Sequence, residues 1–374
     1  MRIGLITRRF DPSGGGTERD LTLTAGMLSR AGHDVTVYAN EVRSAASPWP
    51  VKLITARILG RTLQFLWFAC VAASRARQDQ PELVLSFARV TGADILRSGG
   101  GAHASYIRAA SQWQGRAERI GMRLNPYHRI QMAIERAAFR QPALRCAIAV
   151  SKMVEHDLIK SFDLPPKRVV TLYNGVDGEC FRPSREPSER AALGEQLGLP
   201  DGPRAVLFAG SGFGRKGLGF LIEAWPRMHG SSHLIVAGGD RAAARYQRLA
   251  MRCGVGDRVR FLGRRNDIPE LMRAVDALAL PSLFEPFGNV ALEAMASGLP
   301  VLTTSRCGVT EVLPAELRPF VVADPASVAE LAAKTEALIE ASPGLGVIAR
   351  AAAEQFTWNR HAAELLELLE ACRR

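Results

Sequence analysis

Residues 205–217 read AVLFAGSGFGRKG: five apolar residues, then a stretch with four glycines that closes around two adjacent cations. The apolar run has the length of a strand, and the helical spacing over 217–228 makes the glycine segment a strand-to-helix loop. Such a loop can receive phosphate, because a helix start offers unpaired N–H groups and the positive end of the helix dipole. Gly212 lets the backbone approach an anion, and Arg215 and Lys216 add two cationic side chains. The segment is a candidate diphosphate site; the plain alternative is a glycine-rich turn with two solvated cations. Gly212, Gly214 and Gly217 also spell G-x-G-x-x-G, and Asp240 ends the next strand, where a dinucleotide fold would place its ribose-binding acid. That fingerprint leaves the adjacent cations unexplained.

Outward from this loop the chain alternates. Strand patterns at 205–210, 233–239, 258–263, 277–280, 300–304 and 320–323 are interleaved with helices at 217–228, 242–253, 267–274 and 290–297. Two helices over 327–355 and 359–374 follow. On the other side, RIGLIT, a glycine loop, a helix to Arg30 and HDVTVYA form a βαβ unit, continued by strands at 82–88 and 143–151 and a helix over 153–162. Residues 171–205, rich in Gly, Pro and charge, break the pattern and mark a boundary. Two open α/β domains in tandem are expected, with parallel sheets covered by helices.

Residues 285–294, EPFGNVALEA, follow the ALAL strand. Gly298 and Pro300 stop the helix that begins here, and Asn289 is its candidate N-cap. Its N-terminus opens at the carboxyl end of a strand, where open α/β sheets bind ligands. Glu285 before the helix and Glu293 inside it can then accept hydrogen bonds from two ends of a polyol. Two hydroxyl-rich groups joined by phosphates describe a nucleotide sugar. A solvated loop acid is the alternative for Glu285, but Glu293 stands among apolar neighbours only.

SGGGTE at 13–18 is the matching loop of the first domain, with Gly15 and Gly16 free to let a ligand near the backbone. His103 follows three glycines after a strand-like segment and is a candidate partner for a sugar hydroxyl or a transition-state group; an ordinary half-buried histidine is the alternative. No D-x-D pair occurs, so no metal and no cofactor is expected, and Arg215, Lys216 and helix ends are left to neutralise the diphosphate.

The chain of 374 residues is 47% hydrophobic and 23% charged, ordinary for a globular protein of two domains. No apolar run is long enough for a signal peptide or a bilayer span, the longest being 63–73, so a cytoplasmic location is expected. Six scattered cysteines suggest neither zinc nor a disulfide framework. The formal charge of +11 is uneven: residues 1–180 carry 25 Lys+Arg against 15 Asp+Glu, the remainder 23 against 22. Residues 108–145 hold eight arginines against Glu118 and Glu135, interleaved with Tyr106, Trp113, Met122, Leu124, Tyr127 and Ile130 nearby. That mixture suits peripheral contact with an anionic membrane, at the inner face of the cytoplasmic membrane. A solvated helix is the alternative, and no nucleic-acid motif accompanies the segment.

GSGFGRKG, FLGRRNDIPELMRAVDALALPS and EPFGNVALEAMASGLPVLTT, in that order, resemble the signature of retaining glycosyltransferases of family four, and the FGRKG and GRND segments are similar to those of lipopolysaccharide-core glucosyltransferases. The resemblance implies the GT-B fold: two Rossmann-like domains facing across a cleft, here 1–170 on the acceptor side and 171–355 for the donor, with helix 356–374 packing back on the first. It implies that Arg215 and Lys216 grip the diphosphate, that Glu285 with Phe287, Gly288, Asn289 and Val290 holds the sugar, that Glu293 binds the ribose, and that Arg265 and Asn266 lie near the base. A sugar would pass from a nucleotide donor, UDP by family habit, to a saccharide or lipid-linked saccharide acceptor in cell-surface glycan synthesis. Retention would proceed on one face of the sugar with no protein nucleophile. The rival readings are a nucleotide-sugar epimerase or phosphorylase of similar fold, an NAD-dependent oxidoreductase built on GFGRKG, and a non-catalytic membrane- or nucleic-acid-binding protein.

Overall fold

The computed structural model describes residues 1–12, 14–43, 47–55, 60–112, 120–121, 124–199, 204–229 and 231–373. The chain divides into two units: Met1–Tyr173 with Asn359–Arg374, and Asn174–Trp358.

The first unit is built on seven parallel strands, β1 Arg2–Phe10, β2 Asp34–Val42, β3 Val51–Leu53, β4 Leu83–Ser86, β5 Ile95–Ser98, β6 Cys146–Ala149 and β7 Val169–Thr171. Their order is β3-β2-β1-β4-β5-β6-β7, so the direction of winding reverses between β1 and β4. β4, β5 and β6 are buried along their whole length. Helices cover both faces, which is why these strands are apolar runs with no alternation. The helix Trp358–Arg373 belongs here: Leu365 and Leu369 are buried against Ile3, Leu83 and Leu85. The Arg145 guanidinium donates to the Cys372 carbonyl at 2.5 Å and Arg373 pairs with Glu82 at 2.9 Å.

The second unit holds β8 Ala205–Ala209, β9 His233–Ala237, β10 Val259–Gly263, β11 Ala277–Leu280, β12 Val301–Thr304 and β13 Val321–Val322. All are parallel, in the order β10-β9-β8-β11-β12-β13, with the reversal between β8 and β11. Val206, Phe208, Leu234, Val236, Trp225 and Ile339 fill its core.

Several elements differ from the expectation. The first strand runs on to Phe10, well past RIGLIT. The apolar stretch 63–73 lies in a helix, Arg61–Arg77, and a further helix, Pro187–Gln196, occupies the segment read as a linker. Asn289 is not the cap of its helix. Gly288 takes that place with φ +98°, and Asn289 is the first helical residue.

Candidate active site

The loops after β8 and β11 lie side by side at the reversal point of the second sheet, the crevice where strands on either side wind in opposite directions. They are sewn together by backbone: the Leu283 N–H donates to the Arg215 carbonyl at 2.8 Å. The approach is so close that a Cβ on Gly217, at φ +77°, would stand 2.0 Å from the Pro281 carbonyl oxygen. Only glycine can occupy the position at which the first loop turns into its helix, Leu218–Ala224.

This seam brings Arg215, Lys216 and Glu285 together. Oε2 of Glu285 accepts from the Arg215 guanidinium at 2.7 Å, the Lys216 ammonium at 2.8 Å and the Ser282 hydroxyl at 3.4 Å. Arg215 also donates to the Phe284 carbonyl at 3.0 Å. Burial alone would push the Glu285 carboxyl up, but the charges of Lys216 and Arg215, with their hydrogen bonds, outweigh it and hold the group below the usual glutamate value. Two cations are therefore fixed on one carboxylate at the mouth of the seam. Gly212, at φ +75°, has nothing within 4 Å of where a Cβ would be.

The helix Asn289–Ala296 starts immediately after this cluster. Its first hydrogen bonds reach the Gly288 carbonyl from Ala291 and Leu292, so Asn289 and Val290 head the helix with N–H groups that have no intrahelical acceptor. The Asn289 side chain is held from outside the helix, its Oδ1 accepting from Asn174 Nδ2 at 2.7 Å. Phe287 is buried, and its carbonyl accepts from Cys307 Sγ at 3.2 Å and Val309 N–H at 2.6 Å. Burial, then the Glu285 charge, push the Cys307 thiol up to about 12, which makes it a packing residue under the loop. Glu293 is half-buried between Leu292 and Ala294, both fully covered.

The other predicted residues stand apart from this cluster. Arg265 pairs with Asp267 at 2.8 Å and Asn266 is exposed, in the loop after the edge strand β10; neither makes a hydrogen bond to the Arg215–Lys216–Glu285 group. Gly15, Gly16 and His103 belong to the first unit. Gly15 is exposed and Gly16 caps the helix Thr17–Arg30. His103 is the first residue of the helix His103–Ser111, its Nε2 2.9 Å from His128 Nδ1. Burial, then His128 and Arg89, lower its pKa to about 4, so the ring is neutral. The acid at the end of β9 is otherwise engaged: Asp240 accepts the Phe213 N–H and the Ala242 N–H at 2.8 Å each, one on each oxygen. It braces two loops, an arrangement that does not favour the dinucleotide reading. Asn174, Ser282 and Cys307 were not anticipated; Asn174 lies in the 171–205 stretch that the sequence marks only as a boundary.

Of the arginine-rich segment, Trp113, Arg116, Glu118, Arg119, Met122 and Arg123 lie outside the described residues. Glu135 is not on a solvated face: it is buried, paired with Arg89 at 2.5 Å and accepting the His103 N–H at 2.8 Å. Arg140 and Arg145 are tied to backbone carbonyls, whereas Arg108, Arg129 and Arg136 are exposed, as are Ile120 and Leu124. Among the described residues no helix is long and apolar enough to cross a membrane, and no group of His, Cys, Asp or Glu side chains is placed to hold a metal ion.

Residues 14–179 match the family described as glycosyltransferase family 4, and residues 189–355 match the glycosyl transferases group 1. The lipopolysaccharide glucosyltransferase WaaG of Escherichia coli (strain K12) is 29% identical over 340 residues, covering 88% of this chain and 87% of that one. The crystal structure of WaaG superposes with a TM-score of 0.83 at 25% identity, over 98% of this chain and 99% of that one. Anabaena HepE, solved with UDP and glucose, superposes at 0.75 with 21% identity, over 99% and 100%. Each α/β unit thus carries a glycosyltransferase domain, family 4 in the first and group 1 in the second, and the chain has the two-domain GT-B fold of WaaG.

Proposed function

We propose that the chain transfers a sugar, with retention and without a metal ion, from a UDP-sugar to a saccharide of lipopolysaccharide or a related cell-surface glycan. The observation that carries this reading is the convergence of Arg215, Lys216 and the Asn289–Ala296 helix start on one crevice, with Glu285 fixing both cations. Such a site meets the charge that grows on a departing diphosphate. The UDP and glucose bound by Anabaena HepE and the activity named for WaaG support the donor and acceptor kinds.

In this reading the bond from the anomeric carbon to the diphosphate oxygen breaks while the acceptor oxygen bonds to the same face, and the acceptor's proton passes to the leaving diphosphate. Arg215 and Lys216 stabilise that oxygen as it becomes anionic. Glu293 holds the ribose, and the N–H groups at Asn289 and Val290 orient sugar or phosphate oxygens. No side chain forms a covalent bond, so the two glutamates are not a glycosidase pair. The exposed Arg108, Arg129 and Arg136, with Ile120 and Leu124, support a peripheral contact with anionic lipid at the cytoplasmic face of a membrane.

Slow hydrolysis of UDP-glucose, followed by proton NMR in EDTA, tests the chemistry without knowledge of the acceptor. α-Glucose released first is the expected product. β-Glucose would contradict retention, and abolition by EDTA would contradict metal independence.

A further inference from the structure

The first unit has a cavity of about 670 Å³ at its own reversal point, between the ends of β1 and β4. Thr7, Arg8 and Arg9 come from the end of β1, Phe87 to Arg89 follow β4, and Asn40, Phe65 and Tyr127 close the sides. The charges within it are unequal in kind. Arg9 is compensated by Glu41 at 3.3 Å and Glu18 at 3.8 Å, and Arg89 by the buried Glu135 at 2.5 Å. Arg8 has no carboxylate partner among the described residues. Its guanidinium carbon lies 4.9 Å from the centre of the Phe65 ring. Stacking on an aromatic face fixes the plane of a guanidinium while leaving its edge N–H groups to meet an anion in a two-point fork.

Two further features say what surrounds that anion. Phe65 and Tyr127 lie with ring centres 6.0 Å apart, an apolar wall for the C–H face of a sugar ring. Oδ1 of Asn40 is buried and accepts no hydrogen bond from any described residue. A ligand hydroxyl that displaces the side chains covering it would satisfy this acceptor.

We infer that this cavity takes an acceptor saccharide bearing a negative charge, a phosphate ester or a carboxylate, which Arg8 reads while Phe65, Tyr127 and Asn40 hold the sugar. The inference rests on the reading of the chain as a sugar transferase and adds the class of its acceptor. Phosphate and carboxylate present the same oxygen edge to a guanidinium, so the two are separated by experiment.

The test is a ligand-observed NMR titration at constant ionic strength and saturating UDP, with glucose 6-phosphate, glucuronate and methyl α-glucoside as probes. Wild type is expected to bind at least one charged sugar about tenfold more tightly than the neutral one, and whichever charged probe is preferred names the anion. Arg8→Ala is expected to remove that preference while its UDP-induced thermal shift stays at the wild-type value; Arg8→Lys should keep part of it. Equal affinity for all three sugars, or a preference that survives in Arg8→Ala, overturns the inference. Because UDP is read on the same samples, a normal UDP shift with no charge preference defeats only the acceptor class, whereas loss of the UDP shift in wild type defeats the transferase reading itself.

Discussion

Lys216 is 7% exposed, and a buried ammonium is stable only beside a counter-charge. Glu285 supplies it and also anchors Arg215, so Glu285→Gln should lower stability by about 3 kcal/mol, the range seen when one partner of a buried pair is removed, and should misplace both cations. Chemical denaturation of the variant measures the first effect. Lys216→Met or Arg215→Ala should instead lower kcat about a hundredfold at saturating donor, as loss of a donor to a developing anion does. Unchanged turnover in both would remove them from the leaving-group site. These three residues were legible because charge beside glycine at a strand end already carries chemical meaning. Asn174 and Asp240 were not, because their roles are contacts with Asn289 and Phe213 that only the folded chain creates.

At the scale of elements, the site depends on how near two loops can come. Gly217→Ala would need a left-handed φ and would drive a methyl group into the Pro281 carbonyl, so it should cost more than about 2 kcal/mol and push the 281–288 loop off the first. A UDP titration of that variant should show loss of binding even where circular dichroism shows a folded protein. The long strands and the glycine stops were readable because strands buried on both faces are unbroken apolar runs. β3 and β7 were not, since three residues carry no period. The helix Arg61–Arg77 was missed for a related reason: its middle, FLWFACVAA, is apolar on every side and hides the spacing that marks a helix.

For the molecule as a whole, the return of the last helix to the first unit ties stability to pH. His361 is buried, its Nδ1–H donates to the Tyr173 carbonyl at 2.6 Å, and burial, then the Arg97 charge, lower its pKa to about 4. The unfolded chain binds a proton at His361 below pH 6.5 that the folded chain refuses until about pH 4. Stability is therefore lost as pH falls through that window, by at most about 1.4 kcal/mol per pH unit for this group. Unfolding midpoints between pH 7 and 4 should show the decline, and His361→Leu should make it shallower while leaving the share of His103, whose pKa is lowered in the same way. Nothing in the sequence announced this histidine, which is unremarkable until the helix carrying it is packed. The donor site of the second unit is decided by a thermal-shift titration with UDP, GDP, ADP and NAD on wild type and Glu293→Ala. UDP should stabilise the wild type, and Glu293→Ala should weaken that response at least tenfold in ligand concentration. A shift with NAD alone, or one with UDP that Glu293→Ala leaves unchanged, would contradict that donor site.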